Sequence, residues 1–157
     1  MTEAIKVGQL APQFSGVDAN GNRVKLSDFG GKWLVLYFYP KDNTPGCTTE
    51  AKDFSEYVQD FQELNAEIIG VSTDSQTSHC KFIQKHNLRI NLISDPNHEI
   101  AEIYGVWKLK KFMGKEYMGI ERSTFLISPE QTIAHIWTKV KVKEHAATVL
   151  NYLRMKK

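Results

Sequence analysis

The chain has 157 residues, of which 41% are hydrophobic and 24% are charged, and its formal net charge is +2. This length and composition are typical of one globular domain, which we expect to span residues 1–157, and so small a charge gives no reason to expect a nucleic-acid partner. No apolar run approaches the roughly 18 residues of a membrane span and no export signal is recognisable, so we expect a cytoplasmic protein without a membrane partner.

The first predicted elements are a hairpin and a central strand. Asn20 and Gly21 lie between two short strand-like runs, which is the strongest local signal for a tight hairpin. Residues 33–39, WLVLYFY, are continuously apolar and aromatic rather than alternating. Such a run is typical of a central strand that is covered on both faces.

Helices and strands then alternate along the chain. We expect helices over about residues 45–62, 75–86 and 97–104, and strands over about 67–73, 90–94, 123–128 and 132–137. A long loop is predicted between residues 104 and 123. Alternation of this kind predicts an α/β fold with βαβ units, here with a mixed sheet and helices on both faces.

The basic tail over residues 139–157 has two interpretations. Its lysines suggest a phosphate-binding patch, but Ala146, Val149, Leu150 and Leu153 recur at helical spacing. That spacing favours an amphipathic helix with a solvated basic face.

Cys47 is predicted to lie in the first turn of a helix. Thr44 and Pro45 form a good N-cap and first-turn pair. The free N–H groups and the helix dipole stabilise an anion such as a thiolate there by roughly 0.3–1 kcal/mol. Cys47 also begins an apolar stripe with Ala51 and Phe54, which partly shields the sulfur from water. A core-filling cysteine is the alternative, but the position favours a reactive thiolate.

The segment YPKDNTPGCTTE, residues 39–50, resembles the peroxiredoxin pattern P-x-x-x-T-x-x-C, which is matched by Pro40, Thr44 and Cys47. The most similar subfamily is that of the Q-type peroxiredoxins, or bacterioferritin comigratory proteins. The resemblance extends through VGQLAPQF, VSTDSQTSHCKF and ERSTFLIS. It implies a thioredoxin-like fold and the reduction of hydrogen peroxide or organic hydroperoxides by a thiol, without metal, haem or flavin.

The resemblance also implies residue roles. Cys47 is the peroxidatic cysteine, whose thiolate attacks the peroxide and becomes a sulfenic acid. Thr44 hydrogen-bonds the peroxide, Pro40 shields the thiolate from water, and Arg122 provides a guanidinium near the sulfur. Each of these three has an ordinary alternative, namely a helix cap for Thr44, a strand end for Pro40 and a surface charge for Arg122.

Two further residues near Cys47 are candidates for binding. The backbone N–H groups of Gly46 and Cys47 are expected to hold the peroxide oxygens. Glu50 follows on nearly the same helix face and is either a brace for Arg122 or a solvated acid of the first turn.

The role of the second cysteine, Cys80, is open. Many Q-type members carry a resolving cysteine at the position of Lys52, and others carry it in the helix of Cys80, at the site that we align with Ile83. Cys80 lies about one turn earlier and faces roughly the same way, so it is a candidate resolving cysteine. A half-buried structural thiol is the alternative.

The resemblance implies a monomeric peroxidase recycled by thioredoxin, with glutaredoxin or glutathione as alternative reductants. A one-cysteine cycle, a thiol redox sensor and a non-catalytic metal carrier stay open as alternative functions. His79, Cys80, His86 and Cys47 lack the paired short spacing of structural zinc sites. We therefore expect no metal site and no cofactor.

Overall fold

The computed structural model describes residues 5–156. Its helices and strands, in chain order, are β1 (Ser15–Asp18), β2 (Arg23–Lys25), a 3-10 helix (Leu26–Phe29), β3 (Trp33–Phe38), α1 (Pro45–Glu56), α2 (Val58–Glu63), β4 (Ala66–Ser72), α3 (Gln76–His86), β5 (Asn91–Ser94), α4 (Glu99–Ile103), β6 (Trp107–Phe112), β7 (Lys115–Ile120), β8 (Ser123–Ile127), β9 (Ile133–Trp137) and α5 (His145–Lys156). No helix within residues 5–156 is long and apolar enough to cross a bilayer.

Seven strands form one mixed sheet in the order β2-β1-β5-β4-β3-β8-β9. The three inner strands β3, β4 and β5 run parallel, whereas β1 and β8 pair antiparallel with β5 and β3. The hairpin that joins β1 to β2 turns at Asn20 and Gly21, where Gly21 has a φ of 85° that suits glycine. The predicted mixed sheet and N-terminal hairpin are both confirmed.

Strand β3 separates two apolar layers, because successive side chains of a strand point to opposite faces. Leu34, Leu36 and Phe38 pack in the layer that includes α4. Val35 and Tyr37 pack in the layer formed with α1, α2, α3 and α5. Helices therefore cover both faces, as the continuous apolar run of β3 predicts.

The expected single helix over 45–62 is interrupted. Tyr57 adopts φ −96° and ψ 5°, and its N–H bonds the carbonyl of Phe54, so α1 ends at Glu56 and α2 begins at Val58. The apolar spacing of Phe54, Val58 and Phe61 continues across this break, which is why periodicity alone does not reveal it.

The expected long loop between residues 104 and 123 was wrong. These residues form a separate two-stranded hairpin, β6 and β7, which turns at Met113 and Gly114 with φ values of 51° and 79°. Its strands are mostly exposed, so they lack the alternation that a half-buried strand shows.

The amphipathic helix predicted for the basic tail is confirmed for part of that segment. Helix α5 begins at His145, and its apolar residues Ala146, Val149, Leu150 and Leu153 are buried. Residues 139–144 precede the helix.

Candidate active site

Cys47 lies in the first turn of α1, which begins where the chain leaves the central strand β3. Its side chain is 1% exposed. Thr44 occupies the N-cap position with φ −86° and ψ 154°, and Pro45 is the first helical residue. The first backbone bond of the helix runs from the Thr48 N–H to the Thr44 carbonyl at 2.8 Å. The N–H groups of Gly46 and Cys47 therefore have no acceptor within the helix and are available to a ligand.

Arg122, in the connection between β7 and β8, places its guanidinium between two residues of α1. Its Nη2 donates to Cys47 Sγ at 3.3 Å, and its Nη1 donates to Glu50 Oε1 at 2.7 Å. A Cβ atom at Gly46 would lie 3.3 Å from Nη2, so the missing side chain allows this close approach. The guanidinium is thus fixed beside the sulfur rather than being a free surface charge.

Glu50 is 1% exposed, so it is not a solvated acid. Burial raises its pKa to about 7, although the Arg122 charge opposes that rise. Its second oxygen, Oε2, is buried and has no hydrogen-bond partner among residues 5–156. Burial also lowers the pKa of Arg122, but Glu50 and Cys47 outweigh it and the net direction is upward. The pairing therefore favours the charged form of Arg122, whereas burial disfavours the charged form of Glu50.

Thr44 and Pro40 lie on either side of the turn that precedes the helix. The Thr44 hydroxyl donates to the Lys41 carbonyl at 2.9 Å and does not cap the helix. The predicted N-cap position of Thr44 is confirmed, although its hydroxyl binds an acceptor on the N-terminal side instead of a helix N–H. Pro40 is half-buried and borders a cavity of about 280 Å³ between this turn and the β6–β7 hairpin.

Cys80 is half-buried on α3, and its Sγ accepts a hydrogen bond from Gln84 Nε2 at 3.6 Å. Neither Cys80 nor Cys47 is in a disulfide. The considered zinc ligands do not converge, since His79 bonds Asp42 and His86 bonds Asn43.

One group of potential metal ligands, Asp42, Asp74 and His79, occurs within the part of the chain that the structure describes. Asp42 and His79 bond each other, and Asp74 accepts from the Asp42 N–H and from the Ser72 hydroxyl. Both oxygens of Asp42 and the Oδ2 of Asp74 therefore already have protein donors.

A comparison with known families decides what this site belongs to. Residues 7–136 match the model of the AhpC/TSA family. The peroxiredoxin Bcp of Bacillus subtilis is 57% identical over 150 residues, which cover 96% of each chain. The chain is a peroxiredoxin of the AhpC/TSA family.

Solved structures agree with this identification. The bacterioferritin comigratory protein of Xanthomonas campestris is 40% identical, with a TM-score of 0.89 over 96% of this chain and 99% of that one. A mutant of Xylella fastidiosa PrxQ is 38% identical, with a TM-score of 0.93 over 98% of each chain. The predicted thioredoxin-like fold and Q-type resemblance are confirmed, and this peroxiredoxin is a peroxidase.

Sequence reasoning missed two titratable residues that interact electrostatically with Cys47 in this peroxiredoxin. Burial raises the pKa of Tyr37 well above its ordinary value, with Glu50 and Cys47 adding to the rise, and its hydroxyl has no partner in the described range. Burial, with the nearby Arg122 charge, lowers the pKa of Lys110, while Cys47 opposes that effect. Tyr37 belongs to an ordinary strand pattern and Lys110 to the supposed loop, so no local signal marked either residue.

The raised pKa of Glu50 predicts how the stability of the peroxiredoxin depends on pH. A carboxyl whose folded pKa lies above its unfolded value of 4.5 stabilises the fold at low pH, and this contribution is lost as the pH rises towards about 7. We expect the free energy of unfolding of the parent, relative to Glu50→Gln, to fall by about 3 kcal/mol between pH 4.5 and pH 8.

Denaturant titrations of both proteins across that range measure this difference. A relative free energy that rises with pH would show that the ion pair with Arg122 outweighs burial.

Proposed function

We propose that this peroxiredoxin reduces hydrogen peroxide and organic hydroperoxides through Cys47, and that thioredoxin recycles it through a Cys47–Cys80 intramolecular disulfide. We further propose that it acts as a single domain and a monomer, in the cytoplasm. The observation that carries the proposal is the 3.3 Å contact between Arg122 and the buried sulfur of Cys47, at the start of a helix.

The first step needs a thiolate. A free cysteine is only about 3% thiolate at pH 7. The guanidinium of Arg122 and the positive end of α1 both favour the anion, while burial keeps competing water away. The thiolate attacks the terminal oxygen of ROOH, the O–O bond breaks, ROH leaves after taking up a proton, and Cys47 becomes a sulfenic acid.

The surrounding groups suit the peroxide. The N–H groups of Gly46 and Cys47 are preorganised donors for its oxygens. Because the Thr44 hydroxyl gives its proton to the Lys41 carbonyl, its oxygen is left to accept the proton of the hydroperoxide. Pro40 lies between this turn and the cavity, where it shields the thiolate from water.

The cavity next to Pro40 supports organic peroxides as substrates. It measures about 280 Å³, and its lining includes the side chains of Trp107, Tyr117 and Met118 from the hairpin. These apolar surfaces suit the organic group of a hydroperoxide. The similar Xanthomonas campestris protein has alkyl peroxide reduction activity.

The second step joins two elements that are separate in the reduced protein. A disulfide requires Cα atoms within about 7 Å, and the two sulfurs here contact Arg122 and Gln84 instead of each other. We propose that the first turn of α1 and the early part of α3 unwind after oxidation. The Cys80 thiol then condenses with the sulfenic acid, which releases water and forms the disulfide that thioredoxin reduces.

Turnover tests the function directly. The protein is mixed with peroxide, thioredoxin, thioredoxin reductase and NADPH, and the consumption of NADPH is followed. Steady consumption supports the enzyme. A single burst equal to the protein concentration would instead identify a stoichiometric redox sensor.

The Cys80→Ser variant is expected to separate the two peroxidatic cycles. With one equivalent of peroxide the parent loses both thiols within one chain, whereas the variant holds a sulfenic acid at Cys47 that dimedone traps. Thioredoxin-linked turnover falls at least about tenfold, because the resolving thiol is absent. Non-reducing peptide mass spectrometry identifies each product.

The opposite result defines the alternative cycle. If the parent also accumulates sulfenic acid while Cys80 stays alkylatable, Cys80 is a structural thiol and the enzyme follows the one-cysteine route.

A further inference from the structure

A buried aspartate–histidine pair lies outside the peroxide site. His79 is fully buried, and its Nδ1 is 2.8 Å from Asp42 Oδ2. Its Nε2 is 3.0 Å from the Ile93 carbonyl, which can only accept, so Nε2 donates. Burial raises the pKa of Asp42, but the bonds from His79 and Tyr39 outweigh it and the net direction is downward. Asp42 Oδ2 and His79 Nδ1 therefore share a buried hydrogen bond, while the other ring nitrogen is bonded to strand β5.

Asp42 is the centre of a larger network. Besides His79, its carboxylate accepts the Tyr39 hydroxyl at 2.6 Å and the Ser78 hydroxyl at 2.7 Å. Its backbone N–H donates to Asp74 Oδ2 at 2.8 Å. Two of the three side-chain donors, Ser78 and His79, thus come from the first turn of α3.

This network connects the two segments that carry the cysteines. Asp42 belongs to the turn between β3 and α1, shortly before Cys47, and His79 directly precedes Cys80. At the other end of α3, His86 Nε2 lies 3.0 Å from Asn43 Oδ1. Helix α3 is therefore bonded to the active-site turn at both of its ends.

We propose that the Asp42–His79 pair is a latch that holds α3 closed and so sets the rate at which Cys80 reaches oxidised Cys47; this inference rests on the proposed two-cysteine cycle. Adjacent Cα atoms are only about 3.8 Å apart, so unwinding that carries Cys80 towards Cys47 withdraws His79 as well. Asp42 then keeps its buried charge but loses two of its donors. An unpaired buried charge is costly, which makes this opening slow.

The latch decides between two fates of the sulfenic acid. In one, the Cys80 thiol displaces water and a disulfide forms. In the other, a second ROOH transfers an oxygen atom to the sulfenic acid, which becomes a sulfinic acid while ROH leaves. Because the latch slows only the first reaction, it raises the share of Cys47 that is overoxidised at a given peroxide concentration. Asp42 and His79 are thus positioning residues for the resolving step.

The Asp42→Asn variant tests the latch, since asparagine keeps the side-chain shape and removes the charge. Each protein is cycled with thioredoxin at increasing peroxide, and mass spectrometry quantifies the sulfinic acid at Cys47. We expect the peroxide concentration that overoxidises half of the protein to rise about tenfold. The rate of the first oxidation is measured separately, so that a change in peroxide attack is not mistaken for a change in resolution.

Two control variants make the result specific. Lys81→Ala changes an exposed residue of the same helix, and the peroxide concentration that overoxidises half of this variant should equal that of the parent. Ile133→Ala removes a buried side chain in the opposite apolar layer and should lower global stability without moving the overoxidation midpoint.

A milder variant guards against misfolding. Ser78→Ala removes one donor to Asp42, and a rise of about threefold in the midpoint is expected. In hydrogen exchange of the reduced proteins, the amides of α3 should exchange faster in Ser78→Ala and in Asp42→Asn than in the parent, while β3 and β4 keep their protection.

Three outcomes would overturn the latch. The first is an unchanged overoxidation midpoint in both Ser78→Ala and folded Asp42→Asn. The second is a rise of the midpoint in Ile133→Ala that equals the rise in those variants. The third is a parent protein that reduces peroxide without forming the Cys47–Cys80 disulfide. A parent that consumes no peroxide would refute the proposed function itself, which the same assay shows separately.

Discussion

Replacing Cys47 with serine is expected to abolish peroxide reduction, with a loss of at least about a thousandfold in the rate of peroxide consumption. A serine hydroxyl stays protonated at neutral pH and is a poor nucleophile towards an O–O bond. The fold should be retained, because a serine oxygen is smaller than sulfur and can still accept the hydrogen bond from Arg122 Nη2.

Peroxide consumption by Cys47→Ser and by the parent is compared under identical conditions, with circular dichroism as the check on folding. Cys80→Ser is the matched control, since it should still oxidise Cys47 once at the parent rate. Substantial turnover by the Cys47→Ser variant would place the chemistry at another residue.

Arg122→Ala is expected to slow the first oxidation of Cys47 by about a hundredfold, which is the scale for losing one preorganised donor to a reacting group. The variant lacks the guanidinium that donates to Cys47 Sγ, so the positive charge that stabilises the attacking sulfur is absent. Alkylation of Cys47 by iodoacetamide at pH 7 should therefore be slower than in the parent.

The structure adds a second consequence to this substitution. Local sequence alone predicts an unchanged fold for Arg122→Ala, but Glu50 is buried and has Arg122 as its ion-pair partner at 2.7 Å. Removing one partner of a buried pair typically costs about 3–5 kcal/mol, and protonation of Glu50 relieves part of that cost.

The double variant Arg122→Ala/Glu50→Gln separates the two effects. It should recover much of the stability lost in Arg122→Ala, because no buried charge is left unpaired, while peroxide attack stays slow. Recovery of the parent rate together with stability would mean that Arg122 acts only by supporting the fold. An alkylation rate that matches the parent would refute the charge argument.

Local features of the chain determined the elements around the site. Asn20 and Gly21 specified the N-terminal hairpin, because a tight turn needs a residue that tolerates positive φ, which Gly21 provides. The apolar run of β3 specified a central strand covered on both faces. Thr44 and Pro45 specified the start of α1 and hence the position of Cys47 in its first turn. Each of these features depends on neighbouring residues, so the sequence alone reveals it.

Long-range contacts were decided only by the tertiary structure. Glu50 and Arg122 are 72 positions apart, and Asp42 and His79 are 37 apart, so no local spacing connects either pair. The resemblance drew attention to Arg122, but nothing in the sequence marked Asp42, and His79 was considered only as a possible zinc ligand. The β6–β7 hairpin, which carries Lys110, was not predicted because its exposed strands bury no repeating apolar face. A sequence pattern shows which side of a helix or strand is buried. It does not show which distant charged residue contacts that side, because the two groups pair only when the sheet assembles and both are removed from water.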